Sequence, residues 1–521
     1  MIVNDRLLCS GGFVPCRYCF ASKSKPLPLL LLLLVKRRTE LEDPKCESPC
    51  SCISFKNFVV VAVLKVANGW FMMFEGKNNV KVLDESFTID DEICQITKLR
   101  SEPTENIRKA TYRTQKLPIP ISKMLSRREA MGKFSLADCS HVLGQYLPVN
   151  GPWCIDSMDS RAYVSQFSGD GSILVAGFQG SDIRIYDVDN GWKVRKNITA
   201  KGLHWTITDT SLSPNKRHLA YASMSAIVHI VDVRSAARES QANVTEIHEG
   251  LNFTAQGDDD RYGIFSIQFS KDGLELVAGS NRDSIHIYDL EANRLKSCFE
   301  AHLSDVNTVT FADETGNIMY SGGDDNICKV WDRRCSTAEG KAAGALLGHI
   351  EGITFIDSRG DGRYFISNGK DQTTKLWDIR RMTSKPKYYK RRDPNWDYRY
   401  MSYPAKAKNY KHPKDQSVAT YKGHSVLCTL IRCHFSPAHS TGQKYIYTGS
   451  HDGCVYIYEV VTGARVAKLN LRGSTVRDCS WHPYYPMLVS SSWDCIVARW
   501  EFRGTDENPV PRRKRRRWYI D

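Results

Sequence analysis

The sequence lacks an apolar run long enough to cross a bilayer as a helix, which takes about twenty residues. The run 29–35 has seven residues, and the longer stretch 58–74 is interrupted by Lys65, Asn68 and Gly69. No small-residue cleavage pattern follows the first run, so it does not resemble a signal peptide. With 41% apolar and 25% charged residues, the chain is neither collagen-like nor wholly disordered. We expect a folded chain without a membrane span.

Catalytic motifs are also missing. No glycine-rich loop of the phosphate-binding kind joins a strand to a helix, and no Gly-x-Ser-x-Gly elbow is present. Most histidines that could act as general bases fall at repeated positions described below. We therefore expect no catalytic residues, no cofactor and no enzymatic activity.

The seventeen cysteines do not form the compact framework of a small secreted domain. Their number is odd, and those from Cys139 onward have no regular spacing, which indicates reduced thiols. Cys16 and Cys19 have the spacing of a zinc-binding pair, but Cys46, Cys50 and Cys52 do not repeat it. We expect no metal site.

The first part of the chain differs from the remainder. Residues 1–99 carry a leucine homopolymer and no consistent periodicity, and we treat them as an atypical N-terminal segment. An alternative stays open, that residues before about Leu83 are not natural coding sequence. Residues 100–138 are polar and basic, typical of a linker, with one short helix possible at 122–131.

Positive charge is concentrated in two segments. The formal net charge is +14. Residues 381–414 hold eleven Lys or Arg against two Asp, within an insertion at 381–418 that follows the fifth repeat. Residues 512–517 add six more basic residues, within a basic tail at 503–521. Because the remaining chain is almost neutral, each charged segment has to be interpreted by itself.

Internal repeats predict the architecture. Seven units end in an aromatic or apolar residue followed by an acid, with alternating strand patterns and turn residues before each end. The seven ends are Tyr186-Asp187, Val231-Asp232, Tyr288-Asp289, Trp331-Asp332, Trp377-Asp378, Tyr458-Glu459 and Trp500-Glu501. A period of roughly 40 to 45 residues with four strands per unit is typical of a β-propeller. We predict an all-β, seven-bladed propeller over residues 139–502.

These residues resemble WD repeats. Gly348-His349 and Gly423-His424 match the dipeptide that opens such a repeat, with Ala301-His302 as a variant. The resemblance implies buried hydrogen-bonded sets, which are structural because an unpaired buried polar group costs a few kcal/mol. The implied sets are His302, Ser321, Asp325 and Trp331; His349, Ser367, Asp371 and Trp377; and His424, Thr448, Asp452 and Tyr458.

The first three units and the last unit depart from the regular pattern. The first three units carry Gly180, Ser225 and Arg282 where the later units have the turn aspartate, which puts their hydrogen-bonded sets in doubt. The last unit shows three clear strands after Ser474. Since an unpaired edge is a liability, we expect residues near 148–156 to supply its fourth strand.

Two consecutive units end in Trp-Asp-x-Arg, at Asp332 with Arg334 and at Asp378 with Arg380, and Arg234 belongs to a partial third copy. These boxes resemble those of the WD-repeat substrate receptors of cullin-4 RING ubiquitin ligases, which dock on the adaptor damaged-DNA-binding protein 1. Strings such as LPIPISKMLSRREAMG resemble the family of the eleventh cullin-4-associated factor and its plant relatives. The resemblance implies that the arginines contact the adaptor, that the aspartates orient them, and that an N-terminal helix, here at 122–131, enters the adaptor groove.

The expected function is that of a non-catalytic substrate receptor which recruits an unidentified protein for ubiquitination. An alternative is a nucleic-acid-associated or general assembly scaffold, because the insertion interleaves basic residues with aromatic residues that can stack on bases. Those aromatic residues are Tyr388, Tyr389, Trp396, Tyr398, Tyr400, Tyr403 and Tyr410. The basic run 512–517 resembles a nuclear-import signal, so we expect a nuclear and cytoplasmic protein.

Overall fold

The structure is a computed structural model. It describes residues 31–34, 61–66, 69–74, 89–102, 121–233, 248–254, 262–335, 340–384, 386, 396–471 and 473–502. The chain divides into two compact units, Met1–Asn79 and Val80–Asp521. The first unit contains a three-stranded antiparallel sheet of β1 (Leu31–Leu34), β2 (Val61–Val66) and β3 (Gly69–Phe74). The five cysteines considered above for zinc lie outside the described residues.

The second unit contains seven four-stranded antiparallel sheets, which confirms the predicted seven-bladed propeller. Blades 1 to 3 consist of β5 (Ala162–Phe167), β6 (Ile173–Phe178), β7 (Asp182–Asp187), β8 (Lys193–Thr199); β9 (Ile207–Leu212), β10 (His218–Ser223), β11 (Ile227–Asp232), β12 (His248–Asn252); and β13 (Ile264–Phe269), β14 (Glu275–Ser280), β15 (Ser284–Asp289), β16 (Arg294–Glu300). Blades 4 and 5 consist of β17 (Val306–Phe311), β18 (Ile318–Gly323), β19 (Ile327–Asp332), β20 (Gly344–Leu347); and β21 (Ile353–Ser358), β22 (Tyr364–Gly369), β23 (Thr373–Asp378), β24 (Ala419–Lys422). Blades 6 and 7 consist of β25 (Cys433–Phe435), β26 (Tyr445–Thr448), β27 (Cys454–Glu459), β28 (Arg465–Asn470); and β29 (Val476–Trp481), β30 (Met487–Ser492), β31 (Ile496–Glu501), β4 (Asn150–Ser157).

We letter the strands of each blade a to d from the axis outward. Strand a is the innermost, because it packs against strand a of the neighbouring blades. Strand b lies between strands a and c of its own blade and is buried along most of its length, as in Ile173–Phe178. The blades approach so closely that a Cβ at Gly322 would lie 2.6 Å from Cγ2 of Ile353 in the next blade. The core is therefore a set of apolar layers between blades.

The ring is closed by a strand from the other end of the chain. β4 pairs antiparallel with β31, from Ile496 opposite Ser157 to Glu501 opposite Asn150. This confirms the predicted fourth strand near 148–156. The strand leaves the last blade without an unpaired edge and joins the two ends of the propeller by backbone hydrogen bonds.

The antiparallel order defines two faces. The a–b and c–d turns lie on one face, which we call the lower face, and the b–c turns and d–a loops lie on the other, which we call the upper face. Since β4 is a d strand, the chain enters it from the lower face. The ring contact between Tyr146 and Phe502, with centroids 4.6 Å apart, lies at this entry point.

Three helices precede β4 in the described part of the chain: α1 (Asp91–Ser101), α2 (Ile121–Met131) and α3 (Leu136–Leu143). The predicted helix at 122–131 is present as α2 and begins one residue earlier. α1, which the sequence analysis did not predict, crosses the assumed boundary at residue 99. α3 packs on the short helix α4 (Ala438–Thr441) in the a–b turn of blade 6, so this layer covers part of the lower face.

The insertion at 381–418 lies inside blade 5, between its third and fourth strands, because the sequence repeat ends one strand before the structural blade does. It starts with a 3₁₀ turn at Ile379–Arg381 on the lower face and contains a second at Ala405–Asn409. Between them it reaches the upper face, where the Tyr398 carbonyl accepts a hydrogen bond from the Cys428 amide (2.9 Å). Among the described residues, no helix is long and apolar enough to span a membrane.

Ring closure can be tested by replacing Asn150–Ser157 with a glycine-serine sequence of equal length. Because β31 would lose its partner strand, we expect the single cooperative unfolding transition to broaden or disappear in thermal circular dichroism. Deletion of residues 1–79 serves as the control and should leave the transition unchanged. An unchanged transition in the glycine-serine variant would contradict closure by β4.

Candidate functional site

The first Trp-Asp-x-Arg turn lies at the end of β19 on the lower face. Asp332 accepts two hydrogen bonds from the Arg334 guanidinium, from Nε at 2.9 Å and from Nη2 at 2.7 Å. This pairing lowers the pKa of the Asp332 carboxyl. The Arg334 side chain is 62% exposed. The intervening Arg333 pairs with Glu275 of the neighbouring blade 3. The turn therefore presents one guanidinium to solvent and anchors the other.

The second turn, at the end of β23, has the same local pairing and one further partner. Arg380 donates to the buried Asp378 from Nη2 at 2.9 Å, and from the same nitrogen to Glu92 of α1 at 2.7 Å. Arg363, in the a–b turn of the same blade, pairs with both of these carboxylates. The Arg380 side chain is still 55% exposed. Two carboxylates and two guanidinium groups thus form one network on the lower face.

α1 is held in place by both polar and apolar contacts. The Asp90 side chain caps the helix by accepting from the Glu92 amide (3.0 Å), and it also pairs with Arg381 at 3.0 Å. Ile93 is fully buried in the apolar cluster of blades 5 and 6. The Asp cap, the acidic first turn and the basic last turn, with Lys98 and Arg100, are sequence signals that could have revealed this helix.

Arg234, the weaker adaptor candidate, lies outside the described residues. A further Asp-x-Arg pair, which was not among the predicted site residues, occurs in the insertion. Arg399 donates to Asp397 from Nε at 3.1 Å and from Nη2 at 2.7 Å. This pair has the geometry of the Asp332 turn but lies outside the c–d turns. The local pairing alone therefore does not distinguish the two Trp-Asp-x-Arg turns, whereas their position in c–d turns on the lower face does.

The predicted hydrogen-bonded set of blade 4 forms a continuous chain of buried side chains. Trp331 Nε1 donates to Ser321 Oγ at 2.8 Å, so the serine proton points to His302 Nε2 at 2.7 Å. His302 Nδ1 then donates to Asp325 at 2.9 Å. Burial alone would raise the pKa of the Asp325 carboxyl, but the bond from His302 holds it below its ordinary value.

Blade 5 repeats this chain. Ser367 Oγ lies 2.7 Å from Trp377 Nε1 and 2.6 Å from His349 Nε2. His349 Nδ1 donates to Asp371 at 3.0 Å. In both blades the set joins strands b and c to the loop before strand a, which fixes the backbone of strand c that leads into each Trp-Asp-x-Arg turn.

Blade 6 departs from the expected set. His424 Nδ1 lies 3.1 Å from the Tyr458 hydroxyl, and its Nε2 lies 3.0 Å from Asn368 Oδ1 in blade 5. Asp452 instead accepts from Tyr456 at 2.7 Å and from Lys468 at 2.9 Å, while Thr448 donates to a backbone carbonyl. Tyrosine in place of tryptophan explains the change, because its hydroxyl reaches the histidine directly.

The aromatic residues of the insertion largely serve packing. Trp396 and Tyr403 are buried against Leu427, and Lys370 lies 4.0 Å above the Tyr398 ring. Tyr400 is exposed. Tyr388 and Tyr389 lie outside the described residues. The buried rings are not accessible to bases, which weakens the nucleic-acid interpretation of this segment.

Comparisons with known proteins agree with this fold. Residues 166–358 match the family model described as "Nucleolar protein 10-like, N-terminal domain", and residues 340–378, 415–459 and 465–501 match "WD domain, G-beta repeat". The LEC14B homolog of Prunus armeniaca is 62% identical over 449 residues, which cover 85% of this chain and 94% of that protein. The "DDB1- and CUL4-associated factor 11 homolog" of Caenorhabditis elegans is 32% identical over 453 residues, covering 84% and 77% respectively. The chain belongs to the WD-repeat family that contains these two relatives.

The first two WD matches end at residue 378 and begin again at residue 415. The interval between them corresponds to most of the 381–418 insertion.

Because His424 of blade 6 is buried, we expect the folding stability of this WD-repeat protein to depend on pH. Burial lowers the pKa of His424 to about 4, whereas an unfolded histidine titrates near 6.5. The unfolded chain therefore takes up a proton between these values while the folded chain does not. Stability should fall as the pH is lowered from about 6.5 towards 4, by up to about 1.4 kcal/mol per pH unit from this group.

Urea unfolding at a series of pH values measures this slope. We expect His424→Gln to reduce the slope in that window, and His439→Gln, at an exposed position, to leave it unchanged. Equal slopes in the His424 variant and the parent chain would contradict the assignment.

Proposed function

We propose that this chain is a non-catalytic substrate receptor of a cullin-4 RING E3 ubiquitin ligase, and that it docks the adaptor damaged-DNA-binding protein 1 through its lower face. The name of the Caenorhabditis relatives, "DDB1- and CUL4-associated factor 11 homolog", supports this role. The observation that carries the residue assignment is the pair of exposed guanidinium groups, Arg334 and Arg380, in the c–d turns of adjacent blades.

The aspartates prepare these arginines for contact. An arginine has five N–H donors in a planar fork, and each aspartate occupies the edge formed by Nε and Nη2. Among the described residues, Nη1 of Arg334 and Nη1 of Arg380 have no hydrogen-bond acceptor. These donors suit a carboxylate or a backbone carbonyl on the adaptor. Because the side chains are already held, less conformational entropy is lost on binding.

The helical layer enlarges the proposed docking surface. At the junction of α2 and α3, Met131, Phe134 and Leu136 are exposed, and α3 packs on α4 of the lower face. Arg128 lies 5.3 Å from the centre of the Phe134 ring. An apolar tip beside charged groups suits a groove on a partner protein, since aromatic and apolar anchors carry most of the energy in such interfaces. In this proposal α2 is the helix that enters the adaptor groove.

The receptor contributes binding alone. It holds a recruited protein close to a ubiquitin-conjugating enzyme elsewhere in the complex, which raises the effective concentration of the target lysines. The recruited protein is not identified. We place the chain in the nucleus and cytoplasm on the basis of the basic run 512–517, which lies outside the described residues.

The docking assignment predicts that Arg334→Ala with Arg380→Ala lowers adaptor affinity by about a hundredfold, since charged interface contacts cost roughly 1 to 2 kcal/mol or more each. Surface plasmon resonance with purified adaptor measures this change, and thermal melting shows that the variant is folded. Arg399→Ala is the matched control, because it removes the same Asp-x-Arg pairing away from the c–d turns. Unchanged affinity in the double variant would contradict the assignment. No binding by the parent chain would favour the scaffold alternative.

The contact between α1 and Arg380 generates a second prediction. Glu92→Gln removes the carboxylate charge shared by Arg380 and Arg363, so Arg380 loses part of its orientation. We expect adaptor affinity to fall roughly two- to tenfold, the cost of ordering one flexible side chain. Glu249→Gln, on the exposed outer strand of blade 2, should have no effect. Tighter binding by the Glu92 variant would instead mean that Glu92 competes with the adaptor for Arg380.

A further inference from the structure

An aromatic cluster with an arginine lies on the upper face, opposite the proposed docking turns. Arg161 and Trp205 come from d–a loops, Trp493 from the b–c turn of blade 7, and Tyr163 from the start of strand a of blade 1. Tyr163 is central, with ring centroids 6.3 Å from Trp205 and 5.8 Å from Trp493. The Arg161 guanidinium lies 4.6 Å above the Trp493 ring. Trp205 is 64% exposed, which is unusual for the largest apolar side chain.

The charge of this cluster is positive. Arg161 is exposed, and it makes no ion pair with a carboxylate among the described residues. Arg477 lies below Tyr163, at 5.2 Å from its ring, and donates to the carbonyls of Tyr163 (2.7 Å) and Thr208 (3.0 Å). Its Nε is buried without an acceptor in the described part of the chain, as is Nε1 of Trp493. The cluster therefore has donors that the described residues do not satisfy.

Nearby carboxylates do not neutralise this charge. Asp209 and Asp478, in the central channel, are buried and paired with Arg432 at 2.7 Å and 3.5 Å. Asp494 follows Trp493 in the b–c turn of blade 7, where burial raises the pKa of its carboxyl. Asp159 lies two residues before Arg161, and the two form no ion pair. In blades 3 and 4, burial also raises the pKa of the Asp283 and Asp305 carboxyls. The Arg161 guanidinium is therefore exposed without a carboxylate partner among the described residues.

We infer that the cluster of Arg161, Tyr163, Trp205 and Trp493 binds a peptide segment in which a carboxylate lies next to an apolar or aromatic side chain. A guanidinium stacked on tryptophan keeps its N–H edges free for a carboxylate, while the exposed Trp205 ring offers apolar area for the neighbouring side chain. In the proposed receptor this surface holds the recruited protein, since adaptor docking leaves the upper face open. That role rests on the proposed function, whereas the peptide binding itself does not.

The same chemistry fits nucleic acid less well. A phosphate backbone needs several cationic contacts along its path, whereas the described loops of the cluster offer two exposed cations, Arg161 and Lys201. A strand that continued across the face would meet Asp283 and Asp305. A short acidic and apolar peptide satisfies the site without reaching these two carboxylates.

Fluorescence anisotropy with the full chain tests this inference. The probe is a labelled peptide that alternates glutamate with leucine and phenylalanine, and its twin has lysine at every glutamate position. We expect the acidic peptide to bind and the lysine peptide not to bind. Arg161→Ala and Trp205→Ala should each weaken acidic-peptide binding about tenfold, as for hot-spot side chains. Arg282→Ala is the matched control, an exposed arginine of the upper face that stacks on Tyr262 (5.9 Å).

Three results would each overturn the inference: no binding of the acidic peptide, equal binding of its lysine twin, or unchanged affinity in the Arg161 variant. Tighter binding of a labelled oligothymidine than of the acidic peptide would also overturn it in favour of nucleic acid. The same Arg161 variant is measured for adaptor binding, which should be unchanged. Loss of adaptor binding by the parent chain, with the peptide pattern intact, would reject the receptor role and leave the peptide site standing.

Discussion

The structure depends on closure of the ring by β4. Seven blades pack radially only if the last blade has its fourth strand, and that strand lies more than three hundred residues earlier in the chain, at Asn150–Ser157. Its backbone bonds with β31 hold the first and seventh blades together. Without them, two sheet edges and the apolar layers behind them would be open to water.

Closure also decides where the N-terminal helices lie. Because β4 enters the last blade from the lower face, α3, which precedes it, lies at that face. α1 contacts the lower-face turns of blade 5. There Glu92 meets Arg363 and Arg380. The segment before the propeller thereby becomes part of the surface proposed to bind the adaptor. The upper face is left to the loops of blades 7, 1 and 2, which gather the exposed Trp205 and Arg161.

The repeats allowed much of the fold to be predicted. Alternation, period and the aromatic-acid ends located the seven blades, and the three visible strands of the last unit required a fourth from elsewhere. The side-chain sets of blades 4 and 5 were predicted because His, Ser, Asp and Trp recur at nearly the same spacing in both repeats. In blade 6, Tyr458 brings its own hydroxyl to His424, so the pattern did not predict the partners. Contacts distant in sequence, such as Glu92 with Arg380 and Arg432 with Asp209, depend on ring geometry and have no local signal.

Hydrogen–deuterium exchange of the chain with and without adaptor tests most directly whether the two faces have separate roles. Docking through the lower face predicts slower exchange in Asp91–Ser101 and in the c–d turns that hold Arg334 and Arg380, with no change in the loops around Trp205 and Trp493. Protection of those upper-face loops, with the lower face unaffected, would contradict the central claim.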